Sequence, residues 1–433
     1  MATTSVESRR RLTLHRRSGA VLNYISAGIL ALAGIFVIYI LGKAAVSNPD
    51  VFLQQVLNGL QLGFIYALIA LGYTMIYGIV KLINFAHGDV FMVGAFTSFF
   101  AIATANLHRW PQAVWPGIDE AAATVIGTVT VIMLSMLVAG FLAIVMERFA
   151  YRPLRNKPRI AALITAIGVS FFLEYFAALP FVYTNNYITY PRPFEITVFH
   201  AESISAPAMI VPWAVLIATA AAYGLFSQLE RRGVAWAAIW RRHPLVQFGL
   251  LFGGFLAVVF TLIGMAPTMG GEEWDLTVSN ITVVIMISSI LLQVVLQYIV
   301  QRTRMGKAMR AAAYDKPTAR LMGINVDGVI AATFALGGGL AGAAGVLYAT
   351  AYKQVHHLMG IMPGLKAFVA AVIGGIGSIP GALVGALIMG QTEVLSAGFI
   401  STPMRDAIAF SMLIVVLLIR PQGIFGEPPG EKV

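Results

Sequence analysis

Apolar residues run through this chain in long uncharged blocks, each about as long as a membrane crossing, separated by short polar loops. A helix needs about 20 mostly apolar residues to traverse the hydrocarbon, because every backbone polar group must find its partner inside the segment. Blocks of this kind lie at 18–42, 51–80, 90–107, 121–146, 160–182, 208–229, 245–266, 276–301, 328–351 and 380–398, with a shorter one at 404–420. Residues 364–377 are too short for an ordinary crossing and read as a half-span or a re-entrant helix. The pattern predicts an all-α polytopic membrane protein of about eleven or twelve transmembrane helices. If 364–377 crosses, both chain ends share a side; if it is re-entrant, the C-terminus lies opposite.

Composition sharpens this picture. Hydrophobic residues make up 58% of the 433, charged residues 11%, and the mean hydropathy is +0.81. Soluble domains carry about 45–50% apolar and about 25% charged residues, so this surplus cannot be hidden from water in a globular core. Cysteine is absent, which excludes disulfide scaffolds, thiolate metal sites and thiol catalysis.

The net charge of +10 would suggest nucleic acid if it formed one patch on a soluble domain, but 20 of the 29 basic residues fall into four clusters. These are Arg9 to Arg17, Arg148 to Arg159, Arg231 to Arg242 and Arg302 to Arg320. With the N-terminus inside, alternating crossings bring all four to the cytoplasmic side, as the positive-inside rule requires, while Asp119, Glu120, Glu195, Glu272, Glu273 and Asp275 fall outside. The charge reports membrane topology and no nucleic-acid partner. The first apolar block exceeds the ~7–15 residues of a signal-peptide core and reads as an uncleaved anchor.

Chemistry has few places to sit. No phosphate-binding loop and no metal-spaced histidine pair occurs, so the chain reads as a non-enzyme without cofactor or metal. Glu174 and Glu393 are intramembrane carboxylates, each either a pathway residue or an interhelical hydrogen-bonding group. Asn58, Gln61, Tyr66, Tyr73, Thr74 and Tyr77 put polar stripes on the 51–80 block, fitting a pathway lining and a helix–helix seam equally. Next comes Lys81-Leu82-Ile83-Asn84-Phe85-Ala86-His87-Gly88-Asp89, in which Asn84 could cap the next helix while His87 and Asp89 either serve freed backbone groups or form a gate. The 302–325 loop reads as a short basic amphipathic helix containing Arg310, Ala311, Ala312, Ala313 and Asp315, ending near Gly323. It suits docking on another protein or lying on anionic lipid. Gly374, Gly375, Gly377, Gly381 and Gly385 read as close helix packing, or as a break exposing helix ends.

These segments together resemble the LivH-type permease subunits of bacterial ABC importers for branched-chain amino acids. The resemblance rests on Asn58-Gly59-Leu60 through Thr74-Met75, Ile83 through Asp89, Glu147 through Arg155, the 304–325 loop, Lys366 through Ala382 and Arg420 through Gly426. It covers about 51–200 and 276–433. It implies an ABC importer permease fold in a bacterial inner membrane. The implied partners are a second, LivM-like permease subunit, two ATPase subunits that hydrolyse ATP in trans and a periplasmic substrate-binding protein. It also implies a substrate among Leu, Ile and Val, with other amino acids or amides in reach, and assigns the 302–325 segment to ATPase coupling. A urea or short-chain amide permease, and a proton-coupled secondary transporter using Glu174 and Glu393, are the alternatives.

The chain thus divides into a basic tail and extra anchor (1–50), a first core part (51–202), an inserted pair of spans with a basic loop (203–275) and a second core part (276–433).

Overall fold

The computed structural model describes residues 34–37, 39–155, 157–200 and 277–426, with the isolated positions 221, 228 and 229. The basic tail, most of the first anchor and, those positions apart, the inserted pair lie outside the described residues. After an apolar helix Gly34–Ser47, the helices are α1 (Pro49–Val80), α2 (His87–Ala103), α3 (Glu120–Met146), α4 (Arg159–Ala177), α5 (Asn280–Arg302), α6 (Arg304–Tyr314), α7 (Lys316–Leu321), α8 (Val326–Tyr352), α9 (Ile361–Gly374), α10 (Ile379–Phe399) and α11 (Arg405–Ile419). Among the described residues α1, α3, α4, α5, α8 and α10 are long and apolar enough to cross a membrane. A seventh is made if α2 is joined to Leu107–Val114 across a 63° bend.

Two helices form the centre. Over their most apolar stretch α1 is 89% and α8 is 78% buried, against 22% for α4 and 33% for α5. They run antiparallel and touch where Gly72 faces Gly337, so the absence of side chains lets two backbones meet without displacing the flanking Leu and Ile. Packed around them are α2, α3, α9 and α10.

Both central helices end in the same way. Lys81 after α1 and Lys353 after α8 each adopt the left-handed conformation that stops a helix. In each case a non-helical stretch follows, and a glycine stands seven positions on: Gly88 and Gly360. The first stretch re-enters from the end carrying Lys81 and Lys316, the second from the end where Gln354 and Val355 pair with Thr189 and Ile188. Gly88 and Gly360 meet so closely that a Cβ on either would strike the other's backbone carbonyl. From that junction α2 runs to one end of the bundle and α9 to the other, so the two are half-helices whose N-termini converge inside the protein.

This settles how 361–374 contributes. The chain is at one end at Lys353 and at the opposite end at Gly377, which lies 3.6 Å from the position of a Cβ on Gly78 near the close of α1. The chain therefore traverses the bundle here as an extended inlet plus a half-helix. Gly374, Gly381 and Gly385 do bring α9 and α10 together, since a Cβ on Gly385 would hit the Ala370 carbonyl. Gly375 and Gly377 do otherwise: with φ of 101° and 105° they form the turn between the helices, and α10 begins only at Ile379. The expected Gly377-x-x-x-Gly381 helix contact is thus replaced by a turn. The tail folds back on that turn, Ile424 and Phe425 donating their N–H groups to Ile373 and Gly374 (2.9 and 3.0 Å).

Candidate functional site

Around the junction of half-helices the structure gathers Tyr73, Asn84, His87, Asp89 and Glu174. His87 opens α2, is fully buried, and lies against the bare backbone of Gly72, with Tyr73 meeting its ring edge-on at 4.7 Å. Phe368 of α9 stacks edge-on on the other side of Tyr73 at 5.6 Å. Asn84 does not cap α2 as expected. The capping position is Ala86, and the Asn84 side chain accepts the Tyr151 hydroxyl at 2.5 Å. Its carbonyl, three residues before His87, already takes the His87 N–H at 3.1 Å, which leaves the amide free for the partner on the turn after α3.

Asp89, in the first turn of α2, and Glu174, on α4, are both buried and share one hydroxyl: Ser170 donates to Asp89 at 2.5 Å and lies 3.3 Å from Glu174. This bridge ties the peripheral α4 to the half-helix. Neither Ser170 nor Tyr151 was singled out by the sequence. Their only signal was a hydroxyl, on the apolar block 160–182 for Ser170 and in the basic turn after α3 for Tyr151.

Tyr66, two turns earlier on α1, belongs to a second cluster. It donates to Glu393 (2.8 Å), whose other oxygen accepts Lys366 Nζ (2.5 Å). Lys366 also pairs with Asp406 at 2.8 Å, and Arg405 closes the group at 3.4 Å from Asp406. The network joins α1, α9, α10 and α11. Lys366 entered the sequence reading only as the start of a motif, although a lone lysine in an apolar block demands a carboxylate in a neighbouring span. Gln61 accepts a hydrogen bond from Thr282 of α5 at 2.6 Å, a helix–helix seam, and Asn58 is exposed near the far end of α1.

The crevice bordered by Tyr73, Tyr77, Ile83, Phe368, Ala371 and Ile376 measures about 10 Å³, no more than one water molecule needs.

At the basic end the 302–325 segment is α6 and α7. Thr303 caps α6, accepting from Gly306, and Asp315 caps α7, accepting from the N–H and hydroxyl of Thr318. Asp315 is thus a helix cap. Ala312 is fully buried and Ala311 and Ala313 half-buried, so the alanine run seats α6 on this chain's own spans. The outward surface is Tyr314 (96% exposed), Leu321 (87%) and Met322 (78%), with Arg304, Lys307, Arg310 and Arg320 around them. Gly323, at φ 81°, lets the chain turn from α7 toward α8.

This segment is fastened to the spans at three points. Lys316 Nζ donates to the last carbonyl of α1, Val80, at 2.9 Å. Burial, with Arg155, Lys81 and Arg320 nearby, holds its pKa below the ordinary lysine value. Arg310 donates to the Val300 carbonyl of α5. Arg320 pairs with Asp327 at the start of α8 (3.2 Å), where Arg152 and Arg155 from beyond α3 also converge at 2.6 Å.

Residues 55–417 match the family described as the branched-chain amino acid transport system permease component. The high-affinity branched-chain amino acid transport system permease protein LivH of Salmonella typhimurium is 36% identical over 386 residues, covering 88% of this chain and 98% of the relative. LivH of Escherichia coli K12 matches to the same extent. The corresponding protein BraD of Pseudomonas aeruginosa is 33% identical over 387 residues, covering 89% of this chain and 100% of its own. No solved structure matches significantly.

Proposed function

The chain belongs to the permease-component family of branched-chain amino acid transport systems, and from this premise we propose that it is the membrane-spanning subunit of an ABC importer that carries Leu, Ile or Val into the cell. Two ATPase subunits supply the energy, a second, LivM-like permease completes the channel, and a periplasmic binding protein delivers the substrate. The basic end of the bundle is cytoplasmic, with the N-terminus on that side.

One observation carries the energy-coupling part of this reading: Tyr314, Leu321 and Met322 are almost wholly exposed at the tip of a segment outside every candidate span. Three large apolar side chains on a basic surface fit a groove on a soluble partner. The partner's movement reaches the spans through the three fastenings: Lys316 on α1, Arg310 on α5 and Arg320 on α8. Pulling on the ends of α1 and α8 shifts the half-helix junction that they frame, and the sealed centre opens toward one side at a time.

The test is uptake of labelled leucine by the reconstituted complex. ATP-dependent accumulation is expected, without dependence on a proton gradient. Uptake that persists without ATP and collapses with the gradient would replace this reading with proton-coupled transport through Glu174 and Glu393. Labelled urea and amides in the same assay assign the substrate branch.

A further inference from the structure

At the end of the bundle opposite the basic clusters, α11 begins with a cation and an anion in succession, Arg405 and Asp406. The location follows from α10, which starts just after Gly377, the neighbour of Gly78 at the basic end, and runs 21 residues away from it. The Arg405 and Asp406 side chains are 49% and 33% exposed, whereas Lys366 and Glu393 behind them keep only 4% and 7%.

What each group leaves unused decides the chemistry. Glu393 is fully engaged, one oxygen accepting Lys366 and the other Tyr66. Asp406 engages only Oδ1, at 2.8 Å from Lys366 Nζ and 3.4 Å from Arg405 Nε. That oxygen is buried, so the exposed part of the side chain lies on the side of Oδ2, which has no partner among the described residues. Arg405 likewise engages only Nε, and both terminal nitrogens of its guanidinium are unpartnered among the described residues. The four charges sum to zero, so a simple ion of either sign gains little here. A zwitterion, by contrast, meets an open cation and an open anion side by side. An α-amino acid carries its ammonium and carboxylate on one carbon and needs that adjacency, and a guanidinium fork matches a carboxylate. Apolar surface stands next to the pair: Tyr352, in the last turn of α8, lies within electrostatic reach of Glu393 and Arg405, and Met362 lies one turn before Lys366 on α9; both are half-exposed.

We propose that Arg405 and Asp406 form a receiving site for a free α-amino acid, its carboxylate on the Arg405 fork, its ammonium on Asp406 Oδ2 and its aliphatic side chain against Tyr352 and Met362. The buried Lys366–Glu393 pair holds Asp406 in place from behind. The site rests on the importer reading, in which this end faces the periplasm, and deepens it: the permease has its own requirement for an α-amino acid, separate from that of the binding protein. Urea and simple amides, which carry neither charge, are poor ligands for it.

The cysteine-free chain supplies the test. Met404→Cys, exposed beside Arg405, is labelled with a membrane-impermeant methanethiosulfonate on the full chain in vesicles with this face outward, without ATP or binding protein. Leucine titrated into the millimolar range is expected to slow the reaction several-fold. Isocaproate, which lacks the ammonium, and isoamylamine, which lacks the carboxylate, should leave it unchanged. Adding Arg405→Lys, which keeps the charge and loses the fork, should raise the leucine midpoint by about tenfold. No slowing by leucine, equal slowing by the single-charge analogues, or an unshifted midpoint in Arg405→Lys would overturn the site. Slowing produced instead by exchanging phosphatidylcholine for phosphatidylethanolamine, with leucine inert, would give the pair to a lipid headgroup and overturn it too. The two readings fail separately: ATP-dependent uptake without leucine protection removes the site alone, and proton-driven uptake with protection removes the ABC importer alone.

Discussion

Lys366 sits 2.5 Å from one carboxylate and 2.8 Å from another with 3% of its surface exposed, so its hydration has been exchanged for fixed partners. Removing one member of such a group leaves the rest charged and dry, which costs about 3–5 kcal/mol. Lys366→Met is expected to lower the melting temperature of the purified permease clearly. The double variant Lys366→Met with Glu393→Gln should recover much of that loss, because the stranded charge is gone. Equal melting of single and double variants would show that the stranded Glu393 charge is not what destabilises the single variant. At Asp89 and Glu174 the bridge is a hydroxyl, which a neutral amide can also engage. Glu174→Gln should therefore keep uptake near wild type, and Glu174→Ala should reduce it by loosening α4. Loss of uptake in Glu174→Gln with intact folding would make its proton part of transport.

Among the elements, α2 and α9 depend on two positions without side chains. Gly360→Val should abolish stable expression or cost about 1–3 kcal/mol, since both contacts at that point are backbone; an unaltered melting curve would mean the half-helices do not meet there. For α6 and α7, Tyr314→Ala with Leu321→Ala should leave expression and melting unchanged while ATPase co-purification and leucine uptake fall together. Normal co-purification would remove this surface from the partner contact. Boundaries of these elements were legible in the sequence to within a few residues, because uncharged length fixes where a span can lie. Partners were not. Hydropathy cannot tell that Ala312 faces its own spans, that Asn84 accepts a tyrosine from the far side of α3, or that Lys366 finds a carboxylate 27 residues on. Each is a long-range pairing that only the packing of helices decides. The half-span at 364–377 was half legible: its length excluded an ordinary crossing, while the extended inlet before it leaves no periodic trace.

For the molecule as a whole, the C-terminal tail packs on the turn after α9, at the end that holds Lys81 and the 302–325 segment. Tyr314→Cys and Phe425→Cys should accordingly react with an impermeant maleimide from one side only, and Trp115→Cys and Tyr187→Cys from the other. Labelling of Phe425→Cys together with Trp115→Cys would refute the crossing at 354–374. The two central helices and their half-helices form an inverted pair, so this centre alone does not set a direction. On the proposed function, direction comes from what binds at each end: a soluble engine on the exposed apolar tip, a substrate carrier opposite.

The meeting of two helix N-termini at Gly88 and Gly360 also has an electrical consequence. Each terminus carries a partial positive charge of roughly half a unit, and the two meet backbone to backbone. Asp89, in the first turn of α2, and Glu174 beside it set two buried acids against that positive midpoint, so the helix ends and the acids help to hold one another in place.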